Sequence, residues 1–328
     1  MFKKGLLLFS SIFAVALSSC GKVTHKPGEY ILDLDYKSDY RILQLTDIHF
    51  GDKDDLEKHF KFMDLTINES KPDLIVVTGD LFTFASKSTA KKLFSYLDSK
   101  GAKWTVCFGN HDEQTYFSVD WMTKYLNNYG SNCVFKDFQD DDMQGNSNFA
   151  INLKKGDDIF EQLFIMDSNR YHYGDYQGYD YFKEEQIKWY SDVIDYTTEQ
   201  NAGEVVPSLM FYHIPLPEID DAWDKAQAGD PEAVLKYGEK GEAACPPTYN
   251  SLFFNKILEK KSTTGMYFGH DHLNNFIVNY KGVDFGYGIK STDRIYFSEK
   301  MMGGRTIVLH DDHSVSYEHH YHTYEEVK

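Results

Sequence analysis

Ile42-Leu43-Gln44-Leu45-Thr46-Asp47-Ile48-His49 is a largely apolar run that ends in a carboxylate and an imidazole two residues apart. The run has the composition of a buried strand, and its polar end carries residue types that hold metal ions. The same arrangement recurs four times. Leu74-Ile75-Val76-Val77 leads to Gly79-Asp80, and Trp104-Thr105-Val106-Cys107-Phe108 leads to Gly109-Asn110-His111-Asp112. Leu209-Met210-Phe211-Tyr212 leads to His213, and Met266-Tyr267-Phe268 to Gly269-His270-Asp271-His272. Taken singly, each cluster is what a strand leaving a core commonly ends in, a solvated Asp or a Gly-Asp turn. Together they place polar residues at the same end of five strands, and ligands of an open α/β sheet bind beyond the carboxyl ends of its strands.

Between the strands the pattern is helical. Leu56, Phe60, Met63 and Ile67 recur at helical spacing, so residues 52–69 are expected to form a helix that stops before Pro72. Further helices are expected near 87–97, 115–129, 184–197 and 249–260, with a strand hairpin at 149–153 and 162–166. Such alternation implies a sheet covered by helices on its faces. Beyond residue 272, the stretches 276–280, 283–287, 305–309 and 315–320 read as four short strands of mostly antiparallel sheet. Tyr171, Tyr173, Tyr176, Tyr179 and Tyr181, broken by Gly174 and Gly178, read as a loop. It is either a substrate-facing lid or a surface loop whose rings pack on one another. Residues 220–247, rich in charged and small side chains, read as an insertion over the surface.

A chain of 328 residues can bury a sizeable core. Its net charge of -17, with no basic run, disfavours duplex nucleic acid, which is bound through Lys and Arg on its phosphates. A small phosphate ester remains compatible, because a bound cation dominates the field of its own site. Residues 1–20 read as an export signal, with Lys3 and Lys4, an apolar run from Leu6 to Leu17, and Leu17-Ser18-Ser19-Cys20. The run is short of a full membrane span. Its ending resembles a bacterial lipoprotein signal, which implies a lipid on Cys20 and residence in the cell envelope; an ordinary secretory signal is the alternative. A tether over 21–29 would then precede one domain over 30–328. Of the remaining cysteines, Cys107 reads as buried, and a pairing of Cys133 with Cys245 stays open.

Asp47 and His49, if extended, would face the same side and chelate one ion, while His270 and His272 could serve one ion each. With Asp47 and Asp80 as the only carboxylate ligands, two divalent ions would leave a net positive centre that attracts phosphate. In this order the five motifs resemble the calcineurin-like metallophosphoesterases, over residues 41–272. His213-Ile214-Pro215-Leu216-Pro217-Glu218 and Phe268-Gly269-His270-Asp271-His272-Leu273-Asn274-Asn275-Phe276 are similar to the purple-acid-phosphatase-like branch with fungal and plant Dcr-type proteins. The resemblance implies an α/β fold, a four-layer αββα sandwich of two mixed β-sheets flanked by helices. It implies two divalent or mixed-valence ions of iron, zinc or manganese. Asp47, His49 and His272 would bind one, Asn110, His213 and His270 the other, and Asp80 both, with His111 unligated as the catalytic acid near the leaving group.

Two departures narrow the resemblance. Thr83 stands where purple acid phosphatases proper have a tyrosine, so no ferric-tyrosinate colour is expected and His49 replaces that ligand. Leu81-Phe82-Thr83-Phe84 lacks the Asp-Arg-Gly of protein serine/threonine phosphatases. The implied function is hydrolysis of a phosphomonoester, or a small phosphodiester, by water or hydroxide bridging two ions. A phosphodiesterase of cyclic nucleotides or nucleic-acid ends shares every ligand, and a non-catalytic scaffold of the same fold would have eroded ligands, whereas this set is complete. His310, His313, His319, His320 and His322 crowd the C-terminus, but strand alternation sends neighbours to opposite faces. Asp167 ends a strand without a metal partner in sequence and reads as a turn or supporting residue. Ser86-Lys87-Ser88-Thr89 lacks the glycine loop of a nucleotide site.

Overall fold

The computed structural model describes residues 26–138, 143–174 and 176–328. The expected export signal, Cys20 and residues 21–25 of the tether lie outside these. In chain order the first strands are β1 (Ile31–Asp35), β2 (Tyr40–Leu45), β3 (Leu74–Thr78), β4 (Lys103–Cys107), β5 (Phe149–Lys155) and β6 (Asp158–Ile165). A small hairpin of β7 (Tyr171–Tyr173) and β8 (Gln177–Tyr179) is followed by β9 (Ser208–Phe211), β10 (Ala233–Tyr237) and β11 (Thr263–Phe268). The chain closes with β12 (Ile277–Tyr280), β13 (Val283–Tyr287), β14 (Gly303–Leu309) and β15 (Val315–Tyr321). The helices are α1 (Leu56–Ser70), α2 (Lys87–Asp98), α3 (Val119–Leu126), α4 (Glu184–Gln200), α5 (Glu218–Ala228) and α6 (Phe253–Lys260).

Five strands form one sheet in the order β15-β14-β2-β3-β4, and eight form the other in the order β1-β5-β6-β9-β11-β13-β12-β10. Both are mixed. β2, β3 and β4 are parallel with β14 antiparallel to β2, and β6, β9, β11 and β13 are parallel with antiparallel pairs at either side. Alternation sorts the side chains of the larger sheet between two cores. Leu163, Ile165, Leu209, Phe211 and Tyr267 pack toward the five-stranded sheet, whereas Phe164, Met166, Met210, Tyr212, Met266 and Phe268 join a core with α4, α5 and α6. Met63 and Ile67 of α1 and Leu93 and Leu97 of α2 join the core of the five-stranded sheet. The layers therefore run helix, sheet, sheet, helix, as the resemblance implied. Strands buried on both faces read as continuous apolar runs, which is why all five residues of β3 are buried.

Several boundaries differ from expectation. α1 starts at Leu56 because Asp55 caps it, its carboxylate accepting from the Lys58 amide at 3.2 Å. α3 is confined to Val119–Leu126, with Ser118 as its cap, because the preceding residues turn around the polar rim. Residues 220–247 are not a surface insertion: they hold most of α5 and all of β10, which pairs with β12 and completes the sheet edge. An edge strand needs few large apolar residues, and its sequence looks like loop for that reason. The tyrosine segment is a hairpin with Tyr171 opposite Tyr179. The four C-terminal strands are split, β12 and β13 joining the eight-stranded sheet and β14 and β15 the five-stranded one. Cys133 and Cys245 are both free, so the open pairing is resolved against a disulfide, and Cys107 is buried as expected. Among the described residues no helix is long and apolar enough to cross a membrane.

Candidate metal centre

β2, β3 and β4 run parallel side by side, so the loops that follow them leave at one rim, and β9 and β11 end at the facing rim of the other sheet. Gln44 ties the two sheets just below, its Nε2 donating to the Thr78 hydroxyl at 3.0 Å and the Phe268 carbonyl at 3.1 Å. Above it the backbone turns left-handed, with φ of 54° at Asp47, 53° at His49, 52° at Asp80 and 82° at His270. Asp47 and His49 are therefore not extended, and their side chains converge for a different reason from strand alternation. Left-handed residues flank Ile48, and the amides of Asp47 and His49 donate to the carbonyls of Gly79 (3.1 Å) and Asp80 (2.8 Å). Asp and His tolerate this region better than bulky residues do. Glycine permits the closest approaches: a Cβ on Gly79 would sit 2.5 Å from the His213 ring, and one on Gly269 only 1.9 Å from the Thr46 hydroxyl.

The result is two overlapping donor groups, Asp47, His49, Asp80 and His272 in one and Asp80, His213 and His270 in the other, each within 4.8 Å internally. Asp80 belongs to both. Its Oδ2 lies 3.2 Å from His213 Nε2 and 3.5 Å from His49 Nε2, while Asp47 Oδ1 lies 3.4 Å from His272 Nε2. Four donors, Asp80 Oδ2, Asn110 Oδ1, His213 Nε2 and His270 Nε2, are buried with no hydrogen-bond partner. Orphaned buried polar atoms are costly, and Asp80, His213 and His270 bring three of them within 4.8 Å of one another, which fits a cation that they share. The tautomers agree: His213 Nδ1 donates to the Thr78 carbonyl (2.7 Å) and His272 Nδ1 to the Tyr296 carbonyl (2.9 Å), leaving each Nε2 a lone pair.

Electrostatics point the same way. Burial raises Asp80, but the imidazoles of His213 and His49 outweigh it and hold the carboxyl well below its usual range. Burial opposes charge on His213, yet the Asp80 carboxylate outweighs it and raises this imidazole to about 10, so without a cation a proton on Nε2 faces Asp80, and a bound cation would displace it to use the Nε2 lone pair. His270 is pushed down to about 3 by burial and by His213 beside it. The pocket thus attracts positive charge at the point its donors share.

A supporting layer holds the ligands, and part of it was invisible in the sequence. The Thr83 hydroxyl lies 2.9 Å from His49 Nδ1, so the residue at the tyrosine position orients the ligand that replaces it. Asp112 accepts from the amides of Gly109 (2.8 Å) and Phe82 (3.1 Å), clasping the loops after β3 and β4; burial and the neighbouring Asp80 push it up to about 8. Lys290 is the residue that sequence reasoning missed. Three consecutive carbonyls are captured by the segment after β13: the Ser291 amide donates to Thr46 (3.0 Å), buried Lys290 Nζ to Asp47 (2.8 Å) and the Thr292 hydroxyl to Ile48 (2.8 Å). Burial lowers the Lys290 ammonium to about 8, and Asp47 and Asp80 partly offset it. The available signal was positional, since Lys290-Ser291-Thr292 is one more polar cluster after a strand.

His111 lies at the rim, its ring 5.0 Å from that of His49. Its amide donates to Asp80 Oδ1 (2.7 Å), and its Nδ1 donates to Gln114 Oε1 (2.8 Å). Asp167 is a turn residue, accepting from the amides of Asn146 (2.8 Å) and Asn169 (2.9 Å). The C-terminal histidines disperse, His310 to Asp39, His313 to Glu161, His319 onto Tyr237, and His320 and His322 to Glu69.

Residues 40–274 match the family described as calcineurin-like phosphoesterase. The chain is similar to "Probable inactive purple acid phosphatase 14" of Arabidopsis thaliana, 26% identical over 318 residues covering 86% of this chain and 77% of the relative. It is also similar to "Phosphatase DCR2" of Saccharomyces cerevisiae, 26% identical over 265 residues covering 72% of this chain and 44% of that protein. Among solved structures it resembles a dimetal phosphatase from Danio rerio, with a TM-score of 0.53 at 14% identity over 83% of this chain and 96% of that one. At that identity the likeness is one of fold. With the matched family spanning most of the sequence and purple-acid-phosphatase-like and Dcr-type relatives beside it, the chain belongs to the calcineurin-like phosphoesterase family.

Proposed function

We propose that the protein is a two-metal phosphoric ester hydrolase acting on phosphomonoesters, with small phosphodiesters as the second class. The observation that carries this reading is the pair of donor groups that share the Asp80 carboxylate, with Asp80 Oδ2, His213 Nε2 and His270 Nε2 orphaned where they meet. Asp47, His49 and His272 would hold one cation, Asn110, His213 and His270 the other, and Asp80 both. When bound, such ions supply Lewis acidity that activates water and neutralises phosphoryl oxygens. The chain's own contribution is geometry and a proton. Gln114 holds the Nδ1 side of His111, which leaves Nε2 to protonate the departing alkoxide as general acid. The backbone bond from His111 to Asp80 keeps that acid beside the carboxylate both ions would share.

The likeness to "Probable inactive purple acid phosphatase 14" makes a non-catalytic scaffold the second reading. Both are tested by stripping the protein with a chelator, reloading it with iron, zinc or manganese, and assaying p-nitrophenyl phosphate against its bis-ester. Cation-dependent turnover with the monoester preferred supports the proposal. Preference for the bis-ester supports a phosphodiesterase, and no turnover with two ions bound supports the scaffold. Export and lipid anchoring on Cys20 are part of the same proposal, resting on Leu17-Ser18-Ser19-Cys20. Mass analysis of the mature N-terminal peptide tests them.

A further inference from the structure

Resting on the phosphoesterase reading, we propose that the leaving group of the substrate carries a flat aromatic ring, received by a collar of tyrosine and phenylalanine side chains around the metal centre. The collar touches the centre on two sides, and two further exposed rings stand on the loops joined to His111. Beside His270, Tyr179 meets the imidazole edge-on with centroids 4.3 Å apart, and Tyr171 stacks on Tyr179 at 5.6 Å while its hydroxyl accepts from Asn110 Nδ2 at 2.9 Å. Tyr173, 6.0 Å from Tyr171 and 77% exposed, carries this wall out to solvent. Beside His272, Tyr296 stacks on the imidazole at 4.1 Å and remains 43% exposed. Beside His111, Phe84 follows the residue that orients His49, and its amide donates to the carbonyl of Gln114, the same residue that holds His111. Phe84 is 61% exposed, and Tyr116, whose amide donates to the Ala85 carbonyl, is 70% exposed.

Single exposed rings are ordinary on a protein surface. Tyr171, Tyr179 and Tyr296 lie against the donors of the centre, and two nearby segments carry left-handed backbone. Phe84 has a φ of 55°, and Ile295, directly before Tyr296, has a φ of 66°. Bulky and β-branched residues rarely take this conformation, and such strain persists where a fold over-determines it, most often at ligand sites. Phe84 is held by its amide bond to the Gln114 carbonyl at 2.8 Å while its ring stays exposed. The metal ligands address the phosphoryl group and carry no information about the alcohol. With His111 as the proposed general acid the alcohol would depart on its side, where Phe84 is joined to the same Gln114, so the rings are placed to read it. Stacking on a ring face rewards any flat π system, so nucleosides and aryl groups share the chemistry, whereas a sugar alcohol or short alkyl group offers no such face.

The test uses the cation-loaded full chain and three non-hydrolysable probes, methylphosphonate, octylphosphonate and phenylphosphonate, titrated by calorimetry. Phenylphosphonate is expected to bind about tenfold tighter than either of the others, the order of one stacked ring. Phe84→Gly should abolish most of that preference, leave methylphosphonate affinity unchanged, and raise the unfolding midpoint because glycine relieves the backbone strain; Phe84→Tyr should retain the preference. Relative turnover of phenyl phosphate and adenosine 5′-monophosphate then tells aryl from nucleoside sources. Equal affinity for methyl- and phenylphosphonate overturns the inference, as does octylphosphonate binding as tightly as phenylphosphonate. If glycerol 2-phosphate is hydrolysed as fast as the ring esters, the inference falls and the phosphoesterase reading stands. If no phosphonate binds and no ester turns over, both fall.

Discussion

The two sheets contribute unequally to the metal centre. The five-stranded sheet supplies both carboxylates, Asp47 and Asp80, with His49 and Asn110, whereas the eight-stranded sheet supplies the imidazoles His213, His270 and His272. Three of the left-handed ligands lie on the five-stranded side, where Lys290, Ser291 and Thr292 brace the backbone. One rim therefore holds the carboxylates in left-handed loops, and the other meets them with imidazoles. What this teaches is that the cation pair would join the two halves of the sandwich, with Asp80 as the indispensable element and each imidazole as a local one.

The largest expected effects test that asymmetry directly. Asp80→Asn should remove both cations and lower turnover by about a thousandfold or more, while His270→Ala should remove one cation and leave the other bound. Equal losses in the two variants would mean the sheets are equivalent partners. Next comes His111→Ala, expected to cost about 10²- to 10⁴-fold with alkyl phosphates and much less with p-nitrophenyl phosphate, whose leaving group needs no proton. Steady-state kinetics on both esters checks it, and equal losses would remove the general-acid role.

Lys290→Met should be milder. It leaves the Asp47 carbonyl without its buried partner, so cation affinity on the Asp47 side should fall about 10- to 100-fold, with partial rescue by Lys290→Arg. Metal titration of the variant reads this without any assay of turnover, and unchanged affinity would show that the brace is dispensable.

The smallest effect on activity belongs to the far end of the molecule, which serves as the contrast. Burial pushes the Glu161 carboxyl from 4.5 up to about 8, and the His313 imidazole lies 3.1 Å from it. A carboxyl whose folded value is raised binds its proton more tightly in the folded state. Its stabilising contribution is therefore complete below about pH 4.5 and is lost as pH rises toward about 8. Denaturant midpoints should fall across that window in the wild type and fall less steeply in Glu161→Gln, with turnover at fixed pH unchanged.

The sequence revealed the candidate ligands because each follows an apolar run, and that signal is local. The five strand ends, the helix periodicity of α1 and the Asp80 position were all legible in this way. Lys290 was not, because its partner lies 243 residues away and its place after a strand marks a polar cluster without marking a buried ammonium. The left-handed backbone at Asp47 and His49 was also hidden, since residue types alone do not separate a chelating pair on a strand from one on a turn. β10 escaped because an edge strand, with Val234 and Leu235 exposed, needs no apolar alternation to be held. The tyrosine hairpin fell between two readings, and its wall against Asn110 and His270 combines both: Tyr171 and Tyr179 pack on each other and face the centre.

One determination bears most directly on the shared role of Asp80: the number of transition-metal ions per chain, measured by elemental analysis on protein purified without chelators, for wild type and Asp80→Asn side by side. Two ions in the wild type and none firmly held in the variant is the predicted result. Two ions retained by Asp80→Asn, or none in the wild type even after reloading, would contradict it.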